Sequence, residues 1–210
     1  MNKKANSVLL ASGGLDSTTL AYWLRDKGIP FVPLFIDYGQ HCAKTEYETL
    51  RSVMPAELRD RICSLNVADV YRGTGSRLIS EPDLWKDNME GDTLYLPYRN
   101  LLLLSIGAAF AQSRGYTRLY AAFINSNHAK EIDCSAQFFQ RLGGMLADYG
   151  TVRIEMPFRE MSKTEVAKIG LTLNTPIAAT FSCQAASEVP CGACPNCVDR
   201  LNALSQLQQP

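Results

Sequence analysis

Apolar residues in this chain fall into short runs bounded by polar ones, and these runs alternate with stretches of helical spacing. Ser7-Val8-Leu9-Leu10-Ala11 reads as a buried parallel strand. After a glycine pair, Leu20, Tyr22, Trp23 and Leu24 carry helical spacing as far as Gly28, a natural C-terminal stop. A second apolar strand spans residues 31–37, with Pro33 early in it and Asp37 at its end. Residues 46–53 look helical until Pro55 breaks the pattern, and 62–67 gives a third strand. Periodicity fades from Ala68 to about Leu96, where glycines, prolines and aspartates suggest either a functional lid or disorder. An apolar helix follows from Leu101 to about Gln112, with Asn100 its expected cap and Gly115 its stop. Then come a strand over 119–124, a helix over 135–148 stopped by Gly150, and a fifth strand over 152–156. Ser162 and Glu165 form a capping box for a short helix, and residues 198–207 form an amphipathic one. No repeat or linker interrupts the pattern. The expectation is one α/β domain over 1–210, a Rossmann-like doubly wound parallel sheet with a cysteine-rich segment at about 180–210.

With 210 residues, 46% of them hydrophobic, the chain has length enough for a real core. Formal net charge is zero, which gives no electrostatic footprint for nucleic acid or an anionic membrane. The N-terminal residues run into a strand too short for a signal sequence or a membrane span. Seven cysteines, four of them crowded near the C-terminus, suit a metal more than disulfides and place the chain in a reducing compartment, the cytoplasm.

The chemistry concentrates where the first strand turns into the first helix. Ser12-Gly13-Gly14-Leu15-Asp16-Ser17-Thr18-Thr19 combines two glycines, an aspartate and four hydroxyls at a helix N-terminus. Free amides and the positive end of the dipole make such a turn an anion site. Glycines let a phosphate approach the backbone, and the hydroxyls add neutral donors. A plain helix cap would explain one polar residue and leave the rest unexplained. No lysine follows, so this is not the ATPase P-loop, nor is it a dinucleotide turn. Asp37 and Tyr38 close the second strand and would lie beside the same ligand.

Lys163 falls at the first position of its helix, where a cation opposes the dipole; that local conflict points to a held phosphate. Arg99, at the entry to another helix, suits either solvent or phosphate. His128, one of two histidines, reads as a solvated residue rather than a ligand. Cys183, Cys191, Cys194 and Cys197 suit a closed, tetrahedral structural zinc site. An iron–sulfur cluster uses the same ligands and a redox dithiol needs only two. Cys42, Cys63 and Cys134 are expected to pack as small apolar residues.

Ser12-Gly13-Gly14-Leu15-Asp16-Ser17 resembles the PP-loop of the ATP-pyrophosphatase superfamily. Together with Asp37-Tyr38-Gly39-Gln40, Arg99-Asn100, Asp133-Cys134, Lys163-Thr164-Glu165 and Thr180-Phe181-Ser182-Cys183 with its downstream cysteines, it resembles the 7-cyano-7-deazaguanine synthase branch over nearly the whole chain. The resemblance implies an adenine nucleotide α-hydrolase-like fold, structural zinc, Mg²⁺ and a homodimer. It implies an ATP-dependent ligase that adenylates the carboxylate of 7-carboxy-7-deazaguanine and aminates it with ammonia to amide and then nitrile. By the same resemblance, Ala11 through Thr19, Asp37, Tyr38, Arg99, Asn100 and Lys163 would bind ATP. Asp16, Arg99 and Lys163 would be catalytic, and Gln40, His41 and Asp133 would bind the substrate.

The substrate half departs from the family pattern. After Tyr38-Gly39-Gln40 the family has a basic residue, a histidine and, three further on, a glutamate; here His41-Cys42 and Thr45-Glu46 stand in those places. Tyr98 replaces a glycine before the Arg-Asn pair, and residues 127–138 replace a glycine- and tyrosine-rich substrate loop. These departures suggest a paralogue that passes the activated acyl group to an amine of another molecule, a protein included. A tRNA-thiolating PP-loop enzyme is a further reading, against which the neutral charge counts. A non-catalytic nucleotide-binding partner is the last.

Overall fold

The structure is a computed structural model that describes residues 5–83, 85–87, 91–124 and 132–207, with the backbone alone at 91, 92 and 132. His128 and the rest of residues 127–131 in the divergent loop lie outside the described residues. Five strands, β1 (Ser7–Leu10), β2 (Phe31–Asp37), β3 (Cys63–Asn66), β4 (Arg118–Tyr120) and β5 (Arg153–Glu155), form one parallel sheet in the order β3-β2-β1-β4-β5. The helices are α1 (Leu15–Asp26), α2 (Ala43–Val53), α3 (Arg99–Ser113), α4 (Ala136–Tyr149), α5 (Lys163–Thr172) and α6 (Pro195–Gln206).

Alternation along the buried strands divides the core between the two faces. Leu9, Phe31, Phe35 and Tyr120 pack with α1, α2 and α5 residues such as Leu20, Leu24, Leu50 and Val166. Val8, Leu34 and Leu119 face the other way, against Leu104, Phe110, Phe139 and Leu142 of α3 and α4. The doubly wound expectation therefore holds. Strand order reverses at β1, which pairs with β2 on one side and β4 on the other, and ligands of open α/β sheets bind at such a switch point.

Two expected elements end differently. β4 stops at Tyr120 rather than 124: its partner β5 spans three residues, and after Ala121 N–H donates to Glu155 O (3.0 Å) the neighbouring chain runs into Pro157, which has no N–H. Residues 121–123 are thereby freed to line the crevice. Asn100 does not cap α3. That position belongs to Tyr98, held in the left-handed region at φ 57°, and Asn100 lies inside the first turn. The cap comes from afar: Asp133 Oδ2 accepts Asn100 N–H at 3.1 Å. A glycine would hold the Tyr98 conformation without strain.

Within the aperiodic stretch, the structure describes short 3₁₀ turns at Ala68–Tyr71 and Gly91–Leu94. Tyr71, Leu78, Leu94 and Leu96 make a small core of their own, which leans on Tyr38 and Leu102. Among the described residues no helix is long and apolar enough to cross a membrane.

Candidate functional site

A cavity of about 300 Å³ opens at the carboxyl ends of β1, β2 and β4. Four helix N-termini converge on it, and each lends a first-turn side chain to its lining: Asp16 from α1, Arg99 and Asn100 from α3, Lys163 from α5 and Asn196 from α6. Converging amides and dipole ends make the region favourable for anions. A second cavity of about 370 Å³ adjoins it and shares Ser12, Asp16, Arg99 and Asn100. Asp133, Cys134, Phe139 and Arg159 line the second cavity alone.

The glycine turn is built by packing as much as by any ligand. Gly13 has φ +78°, and a Cβ there would stand 2.7 Å from Leu50 N and 2.8 Å from Glu46 O, inside the backbone of α2. Gly13 is thus glycine because a neighbouring helix lies against it. Gly14 has an ordinary φ of −72° and lines the cavity. Ser12 and Ser17 also line it, with their hydroxyls 3.4 Å apart. Thr18 and Thr19 correct the expectation of four hydroxyl donors: both are fully buried within α1, outside the lining, and their Oγ1 atoms have no partner among the described residues.

Lys163 Nζ lies 3.2 Å from Asp16 Oδ2, which answers the dipole conflict at the start of α5. The Ser162–Glu165 capping box is present. Burial raises the Asp16 pKa, and Lys163 opposes that shift. Asp16 Oδ1 is buried with no partner among the described residues. Burial likewise pushes the Tyr38 phenol up, with Arg99 opposing.

Of the remaining expected residues, Tyr38 and Gln40 line the first cavity and Asp133 the second, while Asp37 and His41 line neither. The Asp37 carboxylate accepts Gly39 N–H and Asn66 Nδ2–H, both at 2.9 Å, and so shapes the turn after β2. His41 bonds Ser187 Oγ (2.8 Å) and Gln184 O (3.1 Å), a strut to the cysteine-rich segment.

Sequence reasoning assigned no site role to Glu46, Ser182, Gln184, Asn196 or Arg159, all of which line the cavities. Glu46 accepts from Gln40 Nε2 at 2.8 Å, and burial lifts its pKa to about 7 against that hydrogen bond. A signal existed: Glu46 shares one helical face with buried Leu50 and Val53, an unusual seat for a carboxylate. Ser182 had the less visible signal of lying just before Cys183.

The sulfurs of Cys183, Cys191, Cys194 and Cys197 lie within 4.8 Å of one another. Backbone N–H groups of Ala185 and Cys191 point at Cys183 Sγ, and those of Ala193 and Cys194 at Cys191 Sγ, at 3.2–3.4 Å. Such donors favour thiolates. Cys194 sits below the ordinary thiol range because the Cys183 thiol donates to it. A zinc–sulfur length near 2.3 Å puts the corners of a tetrahedron about 3.8 Å apart, so a small contraction suffices and the cluster suits zinc. Its consequence for the cavity is direct. Phe181 N–H donates to Gly13 O at 3.1 Å and Leu15 N–H to Ser182 Oγ at 3.4 Å, so the cysteine module lays residues 181–184 across the glycine turn. Cys42 is buried beside the cluster as expected, whereas Cys63 and Cys134 are only half-buried.

Comparison with known proteins agrees with this arrangement. The family described as queuosine biosynthesis protein QueC matches residues 6–208. A relative from Methanospirillum hungatei JF-1 named 7-cyano-7-deazaguanine synthase is 33% identical over 212 residues, covering 96% of this chain and 95% of its own. One of the same name from Haloarcula marismortui is 30% identical, covering 99% and 93%. Among solved structures, a 4-thiouridine synthetase–RNA complex with bound ATP aligns with TM-score 0.53 at 16% identity, over 95% of this chain and 53% of that one. A predicted subunit of tRNA methyltransferase from Methanocaldococcus jannaschii aligns with TM-score 0.53 at 13% identity, over 80% and 75%. At such identities the structural likeness speaks for the fold alone, whereas the sequence match runs nearly end to end, and the chain belongs to the family of queuosine biosynthesis protein QueC.

Proposed function

We propose that this protein is an ATP-dependent, AMP-forming ligase that converts 7-carboxy-7-deazaguanine to 7-cyano-7-deazaguanine with ammonia. The observation that carries this reading is the pair of adjoining cavities that share Ser12, Asp16 and Arg99. One suits a nucleotide at four helix N-termini, the other a flat acid, and the shared residues mark where α-phosphate and carboxylate would meet.

A carboxylate is a poor acyl electrophile. Its oxygen attacks the α-phosphorus, the bond to pyrophosphate breaks, and the acyl group gains AMP as leaving group. Negative charge grows on the departing pyrophosphate, and the α1 amides, Lys163 and Arg99 stabilise it in place. Ammonia then attacks the acyl carbon, AMP leaves and a proton is released, giving the amide. A second adenylation on the amide oxygen, followed by loss of AMP and of both N–H protons, gives the nitrile.

Asp16 Oδ1, buried beside the cavity without a partner among the described residues, fits a magnesium ion held by one carboxylate and substrate phosphates. Magnesium, when bound, neutralises phosphate charge. The four cysteines would hold zinc as a closed scaffold with no open position for substrate. Asp133 and Gln40 are proposed to contact the acid. The chain is further proposed to act as a homodimer in the cytoplasm, which sedimentation and localisation would check.

The test is a mass-resolved turnover assay with Mg²⁺, ATP and 7-carboxy-7-deazaguanine, with and without ammonia. Nitrile formed only with ammonia, alongside AMP and pyrophosphate, is the expected result. AMP and pyrophosphate without nitrile would move the acceptor to another molecule. Absence of AMP would overturn the substrate.

A further inference from the structure

Arg159 is a cation at the second cavity that no acid among the described residues neutralises. Its one hydrogen bond among those residues runs from Nη2 to Cys134 O at 2.8 Å. Its Nε is buried with no partner among the described residues, and its guanidinium stands 5.3 Å from the centre of the Phe139 ring. A half-buried guanidinium left with most of its donors unused is costly unless something else meets it. Phe139 and the Cys134 carbonyl hold it in position, so its fork is arranged in advance of any ligand.

Its location says which part of a ligand it meets. Arg159 lines the second cavity and not the first, together with Asp133 and Phe139. Among the residues shared with the first cavity, Ser12, Asp16 and Arg99 are those a reacting carboxylate must reach. A bound acid with its carboxylate there turns its ring system towards Arg159. Asp133 lines the same cavity with its carboxylate tied to Asn100 N–H. The cavity therefore offers both a held donor and a held acceptor. A guanine-type ring presents the complement, a carbonyl acceptor beside ring and exocyclic N–H donors.

We propose that Arg159 is a specificity-determining residue that donates to the lactam carbonyl of the deazaguanine ring. This inference rests on the substrate class proposed above. A site built around such a bond discriminates strongly against an analogue that lacks the group, because its polar atoms are then left unmet.

The test is a cycle of two ligands and two proteins, read by calorimetry on the zinc-loaded full chain. The ligands are 7-carboxy-7-deazaguanine and its analogue without the ring carbonyl oxygen. R159M keeps the stem beside Phe139 and removes every donor. The expected result is a loss of tenfold or more in affinity for the acid, a change under twofold for the analogue, and an unchanged KM for ATP. R159K, which restores one donor, should recover part of the loss. Equal losses for both ligands would assign Arg159 a merely structural role and overturn the proposal, as would R159M binding the acid like wild type. Wild-type protein that fails to bind the acid at all would sink the substrate assignment itself, and this inference with it.

Discussion

Lys163 Nζ and Asp16 Oδ2 stand 3.2 Å apart and join the first turns of α5 and α1 in the lining of the first cavity. Each residue lies in the first turn of a helix, and both side chains line the same space. The lysine carries charge that the start of its own helix disfavours, and the aspartate holds it there. Replacing Lys163 by methionine keeps the stem and removes the cation. Pyrophosphate release in the first turnover should slow by about 10²- to 10³-fold, the usual effect of losing one charge-stabilising donor, while ATP binding weakens less. Rapid-quench measurement of pyrophosphate checks this; a loss under tenfold would mean that Lys163 holds Asp16 rather than the phosphates.

The two glycines of the turn should separate stability from ligand binding. A methyl at Gly13 meets the α2 backbone at 2.7 Å and sits on a positive φ. Gly13→Ala should therefore cost at least about 2 kcal/mol of stability by overpacking and strain. A methyl at Gly14 meets only Ser12 Oγ closely, at 3.3 Å, on an ordinary φ. Gly14→Ala should leave stability within about 1 kcal/mol and raise KM for ATP several-fold. Urea titration and ATP kinetics on the two variants test the contrast.

Where each feature is local, the chain announces it. The strand runs apart from the end of β4, the glycine turn, the Ser162–Glu165 box and the cysteine spacing are read from nearby residues, and each appears where the pattern places it. Features made by distant contacts stayed hidden. Gly13 reads as a phosphate glycine until α2 is seen against it. Asn100 reads as a cap because its true capping partner, Asp133, lies 33 residues away. His41 reads as a substrate ligand, yet its ring is claimed by Ser187 and Gln184 across 146 and 143 residues. Thr18 and Thr19 share the composition of the loop but point into the core, a matter of helix phase that begins only at Leu15.

The cysteine module should act on the proposed nucleotide site through residues 181–184. One zinc per chain is expected by elemental analysis, with no visible absorption of an iron–sulfur kind. Structural zinc commonly contributes on the order of 10 kcal/mol to folding of its own segment. Chelation, or Cys194→Ser, should lower the melting temperature by about 10 °C or more. It should also raise KM for ATP, because Phe181 and Ser182 lose their hold on Gly13 and Leu15. A metal-free protein with unchanged ATP kinetics would show that the segment is positioned without the cluster.

Glu46 gives a pH signature with a definite sign. Burial lifts its pKa from 4.5 to about 7 in the folded chain, so over that range the native state keeps a proton that the unfolded chain releases. The stability this contributes is fully present below about pH 4.5 and is lost as pH rises through about 7. E46Q carries no proton to lose and can still accept from Gln40 Nε2. Its stability relative to wild type should therefore rise between about pH 5 and pH 8, by at most ~3 kcal/mol, since each pH unit between the unfolded and folded values is worth about 1.36 kcal/mol. Chemical denaturation of both proteins at the two pH values reads the difference directly. A wild-type-to-E46Q gap that stays constant across the window would mean that Glu46 titrates as an ordinary carboxylate and that its seat beside Gln40 is open to water.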